Sequence, residues 1–333
     1  MANLALIGDI GATNARFSLC REVVGGSPEL LDTPVILSTQ AYTEGEALLR
    51  DAAEALQKPK LTGALLAVAG PASHADYVVI TNTGLVLQRA SLETLLRAPV
   101  AFVNDFFAMA SGLPFFQRLV QIGGQAPTLD TKALLGPGSG LGMAGLIPVS
   151  VGGAEASWQG IASEGGHADL APGSPLEAEL WTILNQAHDH VCWETVLSGP
   201  GLRNVYDAMC SLWGITPEAL SSEEISAQAV GGANPICHQT LDVFLGLLGT
   251  AAGNLALTLN ARGGVYLGGG IVPQLVNHLA DSPLRRRFEE RGELSSLAKN
   301  IPLLVICDEQ PGLVGASHCL DQLNAGRPGL SGP

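Results

Sequence analysis

The sequence predicts an α/β fold, and three observations carry that expectation. Short, near-continuous apolar runs such as 64–69 end in glycine, as central strands covered on both faces do. Stretches with helical spacing of Ala and Leu follow them, the first at 44–56. The chain has 333 residues, 47% hydrophobic and only 14% charged, enough for two domains or one large one.

The first element is a hairpin. Residues 4–8 read as a buried strand and 15–20 as its partner. The turn DIGATN (9–14), followed by Arg16, carries a carboxylate, a hydroxyl, an amide and a guanidinium. A turn itself needs only Gly with Asn or Asp, so the rest of that chemistry asks for another purpose. Residues 35–39 read as a third strand, 44–56 as a helix, 64–69 as a central strand and 77–81 as a short β-rich run. Ser91 suits the cap of a short helix over 91–96. The strand at 99–103 then ends in Asn104 and Asp105. Strands follow at 119–122, 132–135 and 141–151, and 177–258 is mostly helical. A strand at 264–267, three glycines and an apolar helix at 271–279 repeat the strand–glycine–helix theme. A last strand at 303–307, a last helix at 312–323 and a frayed tail from 325 complete the chain.

Seventeen basic against 31 acidic residues give a net charge of −14, which argues against nucleic-acid or anionic-membrane partners. The six cysteines are scattered without a C-x-x-C pair, as buried free thiols in a reducing cytoplasm would be. The first residues lack the basic and apolar regions of a signal peptide. The longest apolar stretch, 243–259, falls short of the roughly 20 residues of a membrane span and reads as a buried helix.

Four glycine-rich segments have the composition of phosphate-contacting loops: DIGATN (9–14), GPGSGLG (136–142), SGPG (198–201) and GGGI (268–271). Glycine lets backbone N–H groups approach an anion closely. None of the four lysines follows a glycine, so no Walker A sequence is present. The match Gly140-x-Gly142-x-x-Gly145 lies inside an expected strand rather than before a helix, and reads as accidental.

Polar residues gather in three further places. Asn104 and Asp105 suit a helix cap, and Asp105 also suits a hydroxyl proton acceptor. In SEGGHADLAP (163–172), Glu164 and His167 bracket two glycines, a spacing that serves either one small polar site or a capped loop. Glu194, in CWETVLSGPG (192–201), reads in isolation as a solvated residue of a short helix. His188, His190 and Cys192 in HDHVC cannot share one face of a helix, which weighs against zinc.

Together and in this order, these segments resemble the bacterial glucokinases of the hexokinase–actin ATPase superfamily. The resemblance spans about 4–323 and is carried by LALIGDIGATNARFSLC, AGP (69–71), ITN (80–82), VNDFFAMA (103–110), GPGSGLG, SEGGHADLAP, ETVLSGPGL (194–202), NLAL (254–257), GGVYLGGGIVP (264–273) and PGLVGA (311–316). It implies a two-domain ribonuclease H-like, actin-like ATPase fold whose domains close over a cleft. The small domain would hold 1–113 with 308–324, and the large domain 114–307. It also implies ATP-dependent phosphorylation of D-glucose to glucose 6-phosphate in a cytoplasmic homodimer. Gly8, Asp9, Ile10, Gly11, Ala12, Thr13 and Asn14 would form the first phosphate loop, with Asp9 on Mg2+ through water. Gly138 and Ser139 would belong to the second loop, and Gly268, Gly269 and Gly270 to the adenosine side. Asn104, Asp105, Glu164, His167 and Glu194 would bind the sugar, Asp105 acting as catalytic base.

Two positions depart from the family pattern. Ala12 replaces a common second glycine, which is tolerable only at negative φ. Leu85 stands where relatives often carry an aromatic residue, leaving the edge of the sugar pocket open to question. Two alternatives remain at this level: a kinase for another hexose or amino sugar, and a non-catalytic sugar-responsive regulator on the same fold. The regulators' helix-turn-helix and the cysteine-rich zinc motif of their group find no match here.

Overall fold

The computed structural model describes residues 4–21, 28–57, 59–70, 72, 76–149 and 157–324. Pro71 of the AGP motif, the end of the strand expected at 141–151 and the expected tail at 325–333 lie outside the described residues. In chain order the strands are β1 (Leu4–Ile10), β2 (Asn14–Arg21), β3 (Glu29–Ser38), β4 (Gly63–Val68), β5 (Tyr77–Val79), β6 (Val86–Gln88), β7 (Val100–Asn104), β8 (Leu119–Gly123), β9 (Lys132–Pro137), β10 (Leu141–Val149), β11 (Ser157–Ser163), β12 (Gly264–Leu267) and β13 (Leu303–Ile306). The helices are α1 (Gly45–Ala55), α2 (Arg89–Leu96), α3 (Asp105–Ser111), α4 (Pro175–Ala187), α5 (Trp193–Val196), α6 (Gly199–Leu212), α7 (Ser222–Val230), α8 (Pro235–Thr258), α9 (Leu284–Glu289), α10 (Ser295–Asn300) and α11 (Pro311–Asn324).

The first sheet has the order β3-β2-β1-β4-β7. β1, β2 and β3 form an antiparallel meander, while β4 runs parallel to β1 and β7 parallel to β4. The apolar run of β4 is continuous because both of its faces are buried. Ala64, Leu66 and Val68 pack with Leu48, Leu49 and Leu92 of α1 and α2. Leu65 and Ala67 pack instead with Phe107, Ala108, Leu313 and Ala316 of α3 and α11. The sheet is therefore a middle layer between two helical layers, and the C-terminal ends of β1, β4 and β7 all point one way.

The second sheet has the order β11-β10-β9-β12-β13-β8. β9 and β12 are parallel, as are β12 and β13, with β10 antiparallel to β9 and β8 antiparallel to β13. Its core joins the buried faces of β9, β12 and β13 to α4, α6 and the long α8. α8 has the length and apolarity to cross a membrane, but 78% of its most apolar window is buried inside the protein.

The chain divides into two compact units. One comprises Met1–Gln117, Val149–Ala162 and Asp308–Pro333, the other Arg118–Pro148 and Ser163–Cys307. Residues Val149–Ala162, expected in the larger domain, group with the N-terminal unit, and its first boundary falls at Gln117 rather than 113.

Several expected elements differ in extent. β3 begins at Glu29, not residue 35. Pro34 conceals its first half; an edge strand tolerates it, and the β2–β3 register is irregular between Phe17 and Leu19 beside it. α2 begins at Arg89, with Ser91 inside it and no side-chain cap at Gln88. The segment expected as a helix at 271–279 winds as a 3-10 helix over Val272–His278. All six cysteines are free, five of them buried and Cys307 half-buried.

Candidate active site

In the N-terminal unit the β1–β2 hairpin builds the first cluster. Gly8 packs so tightly that a Cβ would come within 2.8 Å of Leu66 and 3.0 Å of Phe17. The Ile10 side chain is in the core. Asp9 is registered opposite Arg16. Burial pushes the Asp9 carboxyl above the usual carboxylate range, and the Arg16 guanidinium partly opposes this. A Cβ on Gly312, in the first turn of α11, would collide with the Asp9 carboxylate, so glycine is what fits there. The turn is pinned by Gly11 N–H to Asn14 O (3.0 Å), Thr39 N–H to Thr13 O (2.9 Å) and the Thr39 hydroxyl to Gly11 O (2.9 Å). Ala12 is not among the described non-glycine residues with positive φ, and its methyl is buried. The chain departs from glycine there without strain.

The second cluster of this unit stands where β7 becomes α3. Asn104 is the helix cap: its Oδ1 accepts from Phe107 N–H at 3.0 Å, and its Nδ2 donates to Gly70 O at 3.3 Å. Asp105 is the first helical residue, and its Oδ1 accepts from Phe106 N–H at 2.9 Å. A carboxylate in the first turn complements the helix dipole. Capping thus fixes the amide without using up its hydrogen-bonding capacity. Leu85 belongs to the core of this unit, 2% exposed.

In the other unit three glycine-rich segments are stitched together by backbone bonds. The β9–β10 hairpin turn at 138–140 closes through Gly138 N–H to Gly140 O (2.8 Å). Gly199 N–H, at the start of α6, donates to Gly138 O (2.8 Å), and Gly268 N–H to Leu135 O (2.9 Å). Gly269 has φ +79°, and a Cβ on it would strike Pro137 O. Gly138 and Gly270 have open space where a Cβ would stand, and Ser139 is exposed.

Glu194 and the turn that carries Glu164 and His167 both approach one residue, Leu141. Glu164 and His167 are exposed at the two ends of the 3-10 turn Gly165–His167, with His167 N–H bonded to Glu164 O (3.0 Å). Gly166, between them, presses on the Leu141 carbonyl. Leu141 N–H donates to Glu194 Oε2 at 2.7 Å. Glu194 is therefore half-buried and bound, not the solvated helix residue that its local sequence indicates. Sequence reasoning missed Thr39 and the Asp9–Gly312 approach. The glycine appears only as a letter of PGLVGA, and nothing local marks the threonine.

A family model described as Glucokinase matches residues 6–323. The glucokinase of Aromatoleum aromaticum is 42% identical over 333 residues, covering 97% of this chain and 96% of that one. The glucokinase of Chromobacterium violaceum is 39% identical over 323 residues, with coverage of 96% and 90%. Among solved structures, a glucokinase from an Antarctic psychrotroph superposes with a TM-score of 0.81 at 32% identity, covering 97% of this chain and all of that one. A ROK family glucokinase from Streptomyces griseus in complex with glucose and AMPPNP shares the fold, with a TM-score of 0.64 at 20% identity and coverage of 96% and 99%. Nearly whole-length agreement in sequence and in fold leads to one conclusion: this chain belongs to the glucokinase family.

Proposed function

We propose that the chain transfers the γ-phosphoryl group of ATP to the 6-hydroxyl of D-glucose, with Asp105 as general base. The observation that supports this most is the Asn104–Asp105 pair at the end of β7, in a chain whose relatives at 39% and 42% identity are glucokinases. Glucose offers only hydroxyls, so discrimination needs fixed carboxylates, amides and an imidazole whose unmet bonds penalise a wrong sugar. Asn104, Asp105, Glu164, His167 and Glu194 supply those types. As O6 forms its bond to the γ-phosphorus and the bond to the β–γ bridging oxygen breaks, Asp105 takes the hydroxyl proton and ADP leaves.

Backbone N–H groups of the hairpin turn at 9–14 and of the loop at 136–140 bind the phosphates in this reading, with Gly268, Gly269 and Gly270 beside the adenosine. Asp9 suits Mg2+: it is a carboxylate under desolvation, opposed by one guanidinium, with no described donor hydrogen-bonded to it. When held there through water, the ion would supply charge neutralisation for the phosphates. A cytoplasmic homodimer without nucleic-acid or membrane partners completes the reading.

The test is a coupled assay for glucose 6-phosphate with ATP and Mg2+, comparing wild type with Asp105→Ala. Turnover on glucose should fall by about 10²–10⁴-fold in the variant, the usual scale of general base catalysis. Glucose bound by the wild type without turnover on ATP, ADP or polyphosphate would leave a sugar-responsive regulator. Faster turnover of another hexose would reassign the substrate.

A further inference from the structure

We propose that Glu194 is a positioning residue for the glycine loop at 136–140, in addition to its place among the sugar residues. The β9–β10 register pairs Leu141 with Pro137 and Gly142 with Gly136, so 138–140 is a bare three-residue turn. Its internal closure is the single bond Gly138 N–H to Gly140 O. Two bonds hold it from outside, and both come from 194–199. Gly199 N–H grips Gly138 O, and Glu194 Oε2 accepts from Leu141 N–H at 2.7 Å, the short range of a charge-assisted bond.

The two grips form one piece. The Ser198 hydroxyl donates to Glu194 O at 2.9 Å and accepts from Gly201 N–H at 2.9 Å, locking the turn of α5 to the start of α6. The loop in turn has no side chain to spare at the grip. A Cβ on Gly140 would come within 2.5 Å of Glu194 Oε2. With Oε2 spent on Leu141 N–H, Oε1 keeps its lone pairs for a ligand. One carboxylate thus holds the loop with one oxygen and keeps the other for a ligand.

The proposal rests on reading 136–140 as a nucleotide-phosphate loop, and the test separates the two. The full-length protein is titrated calorimetrically with AMPPNP and Mg2+ in the absence of glucose. Glu194→Ala should weaken binding about tenfold, the scale of one hydrogen bond to a charged group. Glu194→Gln, whose amide oxygen can still accept from Leu141 N–H, should stay within about twofold of wild type. Gly140→Ala leaves Glu194 in place but drives its carboxylate off Leu141, and should resemble Glu194→Ala. It serves as the second variant if Glu194→Ala melts below the assay temperature.

Wild-type AMPPNP affinity in both Glu194→Ala and Gly140→Ala overturns the proposal, as does a Gln variant as damaged as the Ala variant. Gly138→Asp adds a charge on the open side of the loop without touching either grip. If it binds AMPPNP normally, the phosphate-loop reading fails and takes the proposal with it. If it weakens binding while Glu194→Ala does not, the positioning role alone fails.

Discussion

Gly315→Ala should destabilise the N-terminal unit although alanine is the better helix former. Gly315 lies inside α11, where a Gly-to-Ala change alone contributes about 1 kcal/mol. A Cβ at this position, however, would collide with the backbone carbonyl of Ala108 in α3. A carbonyl in a helix cannot rotate aside, so the helices must separate, and overpacking of this kind costs about 1–3 kcal/mol. Taking the upper end, the net loss is about 2 kcal/mol. Gly246→Ala in α8 is the matched control, because its Cβ would meet nothing nearer than 3.7 Å. It should stabilise by about 1 kcal/mol. Thermal unfolding reads both, at about 2–4 °C per kcal/mol for units of this size. Melting should fall by about 4–8 °C for Gly315→Ala and rise by about 2–4 °C for Gly246→Ala. Turnover should fall as well, since Ala108 is one turn on from Asp105. A rise in melting temperature for Gly315→Ala equal to that of the control would refute the close approach of α3 and α11.

Two further outcomes follow from buried groups. His318 stacks on Phe115 with ring centroids 3.5 Å apart, and burial pushes its imidazole down to about 4. The unfolded chain binds that proton near 6.5, so stability falls as pH drops from 6.5 toward 4; by pH 5 the wild type should lose about 2 kcal/mol relative to His318→Phe in urea unfolding. Arg287 pairs with the buried Glu177 at 2.8 Å, so Arg287→Met should cost about 3–5 kcal/mol, with much of that recovered in the Arg287→Met/Glu177→Met double variant by the same measurement.

The parts of the fold that were legible in the sequence are those whose environment is written locally. β4 is apolar on both faces because it is covered on both, and an uninterrupted run reports that directly. The polar pair after β7 was legible because it ends such a run. β3 was half hidden because a proline is harmless on an edge strand, and β6 and β11 because three residues, or a half-exposed polar strand, leave no periodicity to read. The candidate site was legible as residue types and not as bonds. Glu194 meets Leu141 across 53 residues, a distance no local pattern spans. His190, read beside Cys192 as a weak metal candidate, has Nε2 2.7 Å from Asp169 Oδ1.

The stitched glycines at 136–140, 198–201 and 268–270 determine how the proposed phosphate-binding segments of their unit can be damaged. In the proposed reading the groups that bind are peptide N–H, which every residue except proline retains, so a scan that trims side chains would pass over these segments with few losses. Harm comes from added atoms: a methyl on Gly269 meets Pro137 O, and one on Gly140 meets the Glu194 carboxylate. Change at Gly140 and Gly269 is therefore constrained in one direction, against growth. A lineage could exchange most surrounding side chains and keep the cradle, provided that nothing larger than hydrogen ever occupied those few positions.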